Sequence, residues 1–243
     1  ELGLSALLAL ISYVVAMLLS YLVFGQRRRL ENFAAAFCNA GFIGIPLVQA
    51  VVGQEGVFYI AASVALLNLF QWTYGVYIMT GRKDTISPKA IARNPVVISI
   101  VIGVALFLSR ISLPGILTST LGYVADMNTP VAMILMGTYL ARLPARRMLD
   151  RRAVGCVLMR LVVIPAAVGL VFWLMPVDNL PLMTAVFLTA ATPVGANICV
   201  FAQQYRCDYE FSVVTVCLST VLSVITVPAM VFLAQTAFSH PYF

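Results

Sequence analysis

Long apolar stretches alternate with short polar segments along the whole 243-residue chain. A helix needs about 20 residues to cross the hydrocarbon core of a bilayer. On that rule the pattern predicts eight spans, at 2–24, 33–53, 56–80, 96–110, 128–143, 153–175, 181–202 and 210–235. The stretch 114–126 reads differently. Its Leu117, Leu121 and Val124 recur at helical spacing beside Thr118, Ser119 and Thr120, which predicts an amphipathic helix lying at the interface.

Two of the spans carry an interruption. The segment 33–53 contains Asn39, Gly41, Gly44 and Pro46, and 181–202 contains Pro193, Gly195 and Asn197. A helix broken within lipid leaves backbone N–H and C=O groups unpaired, which is tolerated only where they face protein or a polar cavity. Each interrupted span is the middle member of a triplet: 2–24, 33–53 and 56–80 in the first, and 153–175, 181–202 and 210–235 in the second. Pro46 and Pro193 lie 147 residues apart, close to the offset between the triplets. With eight spans the triplets enter the membrane from opposite faces, so they are inverted. Inverted repeats with discontinuous helices place a binding site near the bilayer midplane.

Composition agrees with this reading. Hydrophobic residues make up 62% of the chain and charged residues 10%, where a soluble domain carries about 25% charged residues. The fold class expected is an all-α polytopic membrane protein, an inverted-repeat transporter fold with two crossed discontinuous helices. Residues 1–80 and 153–243 hold the two repeats of transport helices, and 81–152 hold scaffold helices and cytoplasmic links.

The charges then set orientation. Threading eight spans puts Arg27, Arg28, Arg29, Arg82, Lys83, Lys89, Arg93, Arg142, Arg146, Arg147, Arg151, Arg152 and Arg206 on one face, and only Arg110 on the other. The basic face is cytoplasmic by the positive-inside rule, which leaves both termini outside. A net charge of +6 arising from short loops points to anionic lipid head groups rather than to nucleic acid. Cys38, Cys156, Cys199, Cys207 and Cys217 show no metal-ligand spacing, and His240 stands alone in the C-terminal tail. No metal site and no cofactor are therefore expected.

The interruptions suggest a chemistry. Each half-helix that starts near a break presents free N–H groups and the positive end of its dipole, which attract an anion such as a carboxylate. Asn39 and Asn197 add amide donors and acceptors without a buried charge. Asn68 and Gln71 on the third span are further lining candidates, and Gly44, Pro46, Pro193 and Gly195 shape the breaks. Arg160 sits about 12 Å deeper than Arg152 at 1.5 Å per residue, where a structural pairing is favoured over contact with a ligand. Asp126 precedes Asn128, Thr129 and Pro130, an acid at a helix start on the external side.

The motifs NAGFIGIPL (39–47), GQEG (53–56), ADMNTPVAMILMGTYLA (125–141), LMRLVVIP (158–165) and TPVGANICVFAQQY (192–205) together resemble the auxin efflux carrier family. The resemblance runs from the first span to the last. It implies ten helices in two inverted five-helix repeats, with a mobile transport domain and a scaffold that forms a homodimer interface. The first span here corresponds to the family's third helix, so the resemblance implies that two scaffold helices are missing from this chain. Two departures argue against auxin: the link 81–95 is short, and Ile198 stands where plant carriers have a second proline. Bacterial members suggest instead a small carboxylate such as malonate or malate, moved across the inner membrane. The rival readings are a sodium- or proton-coupled carrier of another substrate and a non-transporting membrane sensor. An intramembrane hydrolase is disfavoured, because no span carries a histidine or two facing acids.

Overall fold

The computed structural model describes residues 1–81, 95–109, 111, 113–141 and 150–238. Arg82, Lys83, Lys89, Arg93, Arg110, Arg142, Arg146, Arg147 and His240 lie outside the described residues, as does most of the 81–95 link. The described residues are helical apart from short connections. In chain order the helices are α1 (Leu2–Phe24), α2 (Arg29–Ala36), α3 (Ala40–Val51), α4 (Gln54–Thr80), α5 (Pro95–Ser109) and α6 (Gly115–Asp126), followed by α7 (Asn128–Ala141), α8 (Arg151–Trp173), α9 (Leu180–Ala190), α10 (Asn197–Gln204) and α11 (Tyr209–Ala237).

Four of these, α1, α4, α8 and α11, are long and apolar enough to cross a membrane. They correspond to the expected spans 2–24, 56–80, 153–175 and 210–235. The spans expected at 96–110 and 128–143 appear as helices of 15 and 14 residues, shorter than a crossing requires by length alone. The stretch 114–126 is the separate helix α6, with no buried residue. The two interrupted spans each resolve into a pair of short helices, α2 with α3 and α9 with α10.

Local chemistry sets the boundaries. Gly53, with φ of 95°, supplies the left-handed turn between α3 and α4 that other residues adopt only with strain. Asn179 caps α9 by accepting from the Leu182 N–H at 3.0 Å, and Asp208 caps α11 through the Phe211 N–H at 3.0 Å. Prolines act just inside helices as well. Pro46 and Pro165 each follow a five-residue π-turn, Ala40–Gly44 and Met159–Val163. A proline's ring clashes with the carbonyl four residues back, and widening the preceding turn relieves that contact without breaking the helix.

This corrects the expected position of the first interruption. Pro46 lies within the first turn of the Ile45–Val51 segment, whereas the chain leaves helical geometry at Phe37, which is extended. The residues that pair where the two interruptions cross are Cys38 and Val194.

The core forms where these broken elements pass between the long helices. α9 is buried on every side from Leu182 to Ala190, packed against α1, α4, α8 and α11. Phe33, Phe37, Trp72 and Phe201 stack around the first half-helix, with ring centroids 4.7–5.1 Å apart in successive pairs. Glu31 is buried in the first turn of α2, and Arg152 of α8 meets it at 2.8 Å. The Arg152 guanidinium also lies 4.8 Å from the centre of the Phe211 ring, so one side chain ties α2, α8 and α11 together.

Candidate functional site

The two interruptions satisfy each other. Cys38 and Val194 form an isolated antiparallel bridge, in which the Asn39 N–H donates to the Pro193 carbonyl at 2.8 Å and the Gly195 N–H donates to the Phe37 carbonyl at 3.1 Å. The Val194 N–H finds Ser219 Oγ of α11 at 3.2 Å. Pro193 has no N–H to satisfy. Several of the backbone groups that two broken helices would leave bare in lipid are in this way paired at the crossing. The approach is so close that a Cβ on Gly195 would lie 2.8 Å from the Cys38 carbonyl oxygen.

Four helix ends converge there: the C-terminal ends of α2 and α9 and the N-terminal ends of α3 and α10. Asn39 is the N-cap of α3, its Oδ1 accepting from the Phe42 N–H at 3.3 Å. Its Nδ2, by contrast, is buried without any hydrogen-bond partner. Asn39 borders a cavity of about 290 Å³. From the crossing strands the cavity is lined by Cys38, Asn39 and Gly195, from α10 by Asn197, from α3 by Phe42 and Ile45, and from α4 by Val64, Leu67 and Asn68. None of its lining residues is charged.

Of the residues singled out in the sequence, Asn39, Asn68, Gly195 and Asn197 line this one cavity. Gln71 is fully buried one step behind it, where its Oε1 accepts from Asn197 Nδ2 at 2.8 Å. Pro193 contributes through its carbonyl. Gly44 and Pro46 do not line the cavity: Gly44 packs against Thr192 and Asn39, and Pro46 belongs to the body of α3. Asn68 spends one donor on the Val64 carbonyl at 2.8 Å, one turn back along its helix.

Sequence reading missed the apolar wall. Val64, Leu67 and Asn68 fall at i, i+3 and i+4, the spacing of one helix face, and that spacing was the available signal. It also missed Tyr13 of α1, whose hydroxyl donates to the Ser63 carbonyl at 3.0 Å and lies 3.8 Å from Cys38 Sγ.

Behind the crossing, Arg160 of α8 is buried and pairs with backbone rather than with an acid, as a structural pairing would require. Nε donates to the Thr192 carbonyl at 3.1 Å, Nη1 to the Ala35 carbonyl at 3.2 Å, and Nη2 to the Ala190 carbonyl.

A family model described as "Membrane transport protein" matches residues 2–90 and 84–231, nearly the whole chain. The chain belongs to this family. It is the auxin efflux carrier family that the motifs resemble, and the protein is an integral membrane transporter, not an enzyme. A protein of Rhizobium meliloti (strain 1021) named "Putative malonate transporter" is 28% identical over 218 residues, covering 85% of this chain and 67% of that protein.

The hydrogen bond from Asn197 to Gln71 gives the carrier's cavity wall a fixed amide orientation. Replacing Gln71 with Leu keeps the volume but frees Asn197 to rotate, and also removes the buried, unpartnered Gln71 Nε2. The expected outcome is folded protein near the wild-type melting temperature and, where the cavity is the substrate site proposed below, a half-saturation constant raised by about three- to ten-fold, one lost hydrogen bond's worth.

Proposed function

We propose that this carrier moves a small organic anion, a carboxylate, by alternating access, with the crossover cavity as its binding site. The observation that carries the reading is the buried, unpartnered Asn39 Nδ2 at the edge of a cavity onto which two helix N-termini open. The first N–H groups of a helix lack intrahelical partners and carry its positive dipole end. A carboxylate accepts from such donors at no cost in buried counter-charge. The cavity is at the low end of the roughly 300–1,000 Å³ typical of ligand pockets, which suits a small acid. The name of the Rhizobium relative makes malonate the first candidate.

The absence of any carboxylate among the cavity-lining residues favours an anion over a bound cation, so the sodium-coupled reading is second. In the proposed arrangement eight spans form two inverted triplets, with α2–α3 and α9–α10 as the discontinuous middle members. The basic loops face the cytoplasm, both termini lie outside, and the membrane is the bacterial inner membrane. The transport helices shift against the scaffold, which pairs with a second copy.

The test is uptake of radiolabelled malonate into proteoliposomes, beside a panel of mono- and dicarboxylates. Asn197→Ala is expected to cut uptake at subsaturating substrate by about ten-fold or more, as loss of a hydrogen bond to a charged ligand does, with the protein still folded. Wild-type protein that accumulates no carboxylate, or an Asn197→Ala variant with unchanged kinetics, removes the assignment. Saturable binding without flux would instead mark a sensor.

A further inference from the structure

Arg160 is 1% exposed, and its three donors end on carbonyls from both discontinuous helices. Ala35 is in the last turn of α2, Ala190 closes α9, and Thr192 lies just beyond α9. The last carbonyls of a helix have no intrahelical partner and carry about half a negative charge as its dipole end. Two such ends meet at the crossing, so together they present about one negative charge. A guanidinium is the side chain that answers them, because its planar fork reaches several acceptors at once. Among the described residues it has no acidic partner to share this task. Glu31, one turn back along α2 from Ala35, is taken by Arg152, whose Nε and Nη2 hold its Oε1 at 3.0 and 2.8 Å.

On the other side of the same crossing lie the positive N-terminal ends of α3 and α10, at the cavity. Unopposed, the paired C-terminal ends would cancel the attraction that these N-termini exert on an anion. We propose that Arg160 is the counter-charge that makes the crossover selective for anions: it neutralises the C-terminal ends of α2 and α9 and leaves the N-terminal ends of α3 and α10 uncompensated. Arg160 does not touch the cavity. It is a positioning residue that acts through the four helix ends, and it holds both breaks in register by bridging Ala35 to Ala190 and Thr192.

This inference rests on the anion-carrier reading, and the experiment separates the two. Affinity is measured for malonate and for its neutral isostere malonamide, by calorimetry in detergent, on wild type, Arg160→Lys and Arg160→Met, with a melting curve for each. Arg160→Lys retains the charge but not the fork; it is expected to melt lower and to keep most of the preference for malonate. Arg160→Met is expected to lose the preference by about ten-fold, the effect of one unit charge over roughly 10 Å at an effective dielectric of about 20. A purely structural role would lower the melting temperature of both variants and leave the malonate-to-malonamide ratio unchanged, which overturns the proposal. If Arg160→Met does not fold, the ratio is read on Cys156→Asp, which places a carboxylate one helical turn from an intact Arg160; an unchanged ratio there also overturns it. If wild type itself shows no preference for malonate or any other carboxylate over its amide, the anion-carrier reading fails first.

Discussion

Gly195→Ala is expected to abolish transport and lower the melting temperature, while Gly44→Ala leaves both near wild type. The two glycines lie in the two interrupted segments, yet their surroundings differ. A methyl group on Gly195 would sit 2.8 Å from the Cys38 carbonyl oxygen and 3.3 Å from its carbon, both backbone atoms of the opposing break. Backbone cannot rotate away as a side chain does, so the strands must part. Parting them breaks the Asn39-to-Pro193 and Gly195-to-Phe37 hydrogen bonds that close the crossing. Overpacking costs about 1–3 kcal/mol, and each lost bond adds about 0.5–1.5 kcal/mol. On Gly44 the same methyl meets nothing closer than 3.6 Å, an ordinary contact. Thermal unfolding and proteoliposome uptake on the pair check this; Gly195→Ala protein that transports at the wild-type rate would show that the bridge can open freely.

The wild-type crossing also suggests how a carrier can keep a broken pair of helices rigid while it moves. The bridge, the Ser219 hydroxyl and the three Arg160 bonds pair much of the backbone at the breaks from within the bundle. A segment so satisfied is able to travel as one body, because no step requires a buried polar group to be exposed to lipid. The cavity is the side bordered by Asn39, whose Nδ2 donor stays unused.

Much of this was legible in the chain. Apolar length marked α1, α4, α8 and α11, and Asn, Gly and Pro inside apolar stretches marked the interruptions. The residues that line the cavity were partly named in advance because polar amides in lipid are costly and therefore conspicuous. What the sequence could not display is the pairing. Pro46 is the more visible breaker, yet the chain breaks at Phe37–Asn39, where no residue has a strong breaking tendency and where the partner strand from 193–195 supplies the missing hydrogen bonds. Arg160 likewise reads as a lone charge, since carbonyl oxygens leave no mark in a sequence. Glu31 falls outside the expected span 33–53, and the earlier start of the helix at Arg29 places it among the buried residues. Tertiary partners 125 residues away decide these cases, and periodicity carries no information about them.

Asn39→Asp is expected to weaken binding of the substrate anion by about 100-fold or more at neutral pH and to lower the melting temperature there, since the new charge is buried. Aspartate caps a helix as well as asparagine does, so the bond to the Phe42 N–H survives. The unpartnered Nδ2 donor, however, is exchanged for an acceptor oxygen with a negative charge at the place proposed for the carboxylate. Two like charges about 4 Å apart repel by about 4 kcal/mol at an effective dielectric of about 20, close to a thousand-fold in affinity. The pH dependence gives the signature. Burial and a neighbouring anion both disfavour the charged form of the new carboxyl. As pH falls the group gains a proton, loses its charge and regains an O–H donor, and affinity relative to wild type climbs. Asn39→Ala, which has no titrating group, keeps a pH-independent ratio to wild type and loses about 1 kcal/mol of stability with the cap. Malonate binding measured from pH 5 to 8 on all three proteins decides the matter: an aspartate variant that binds like wild type at neutral pH means that the anion does not sit at Asn39.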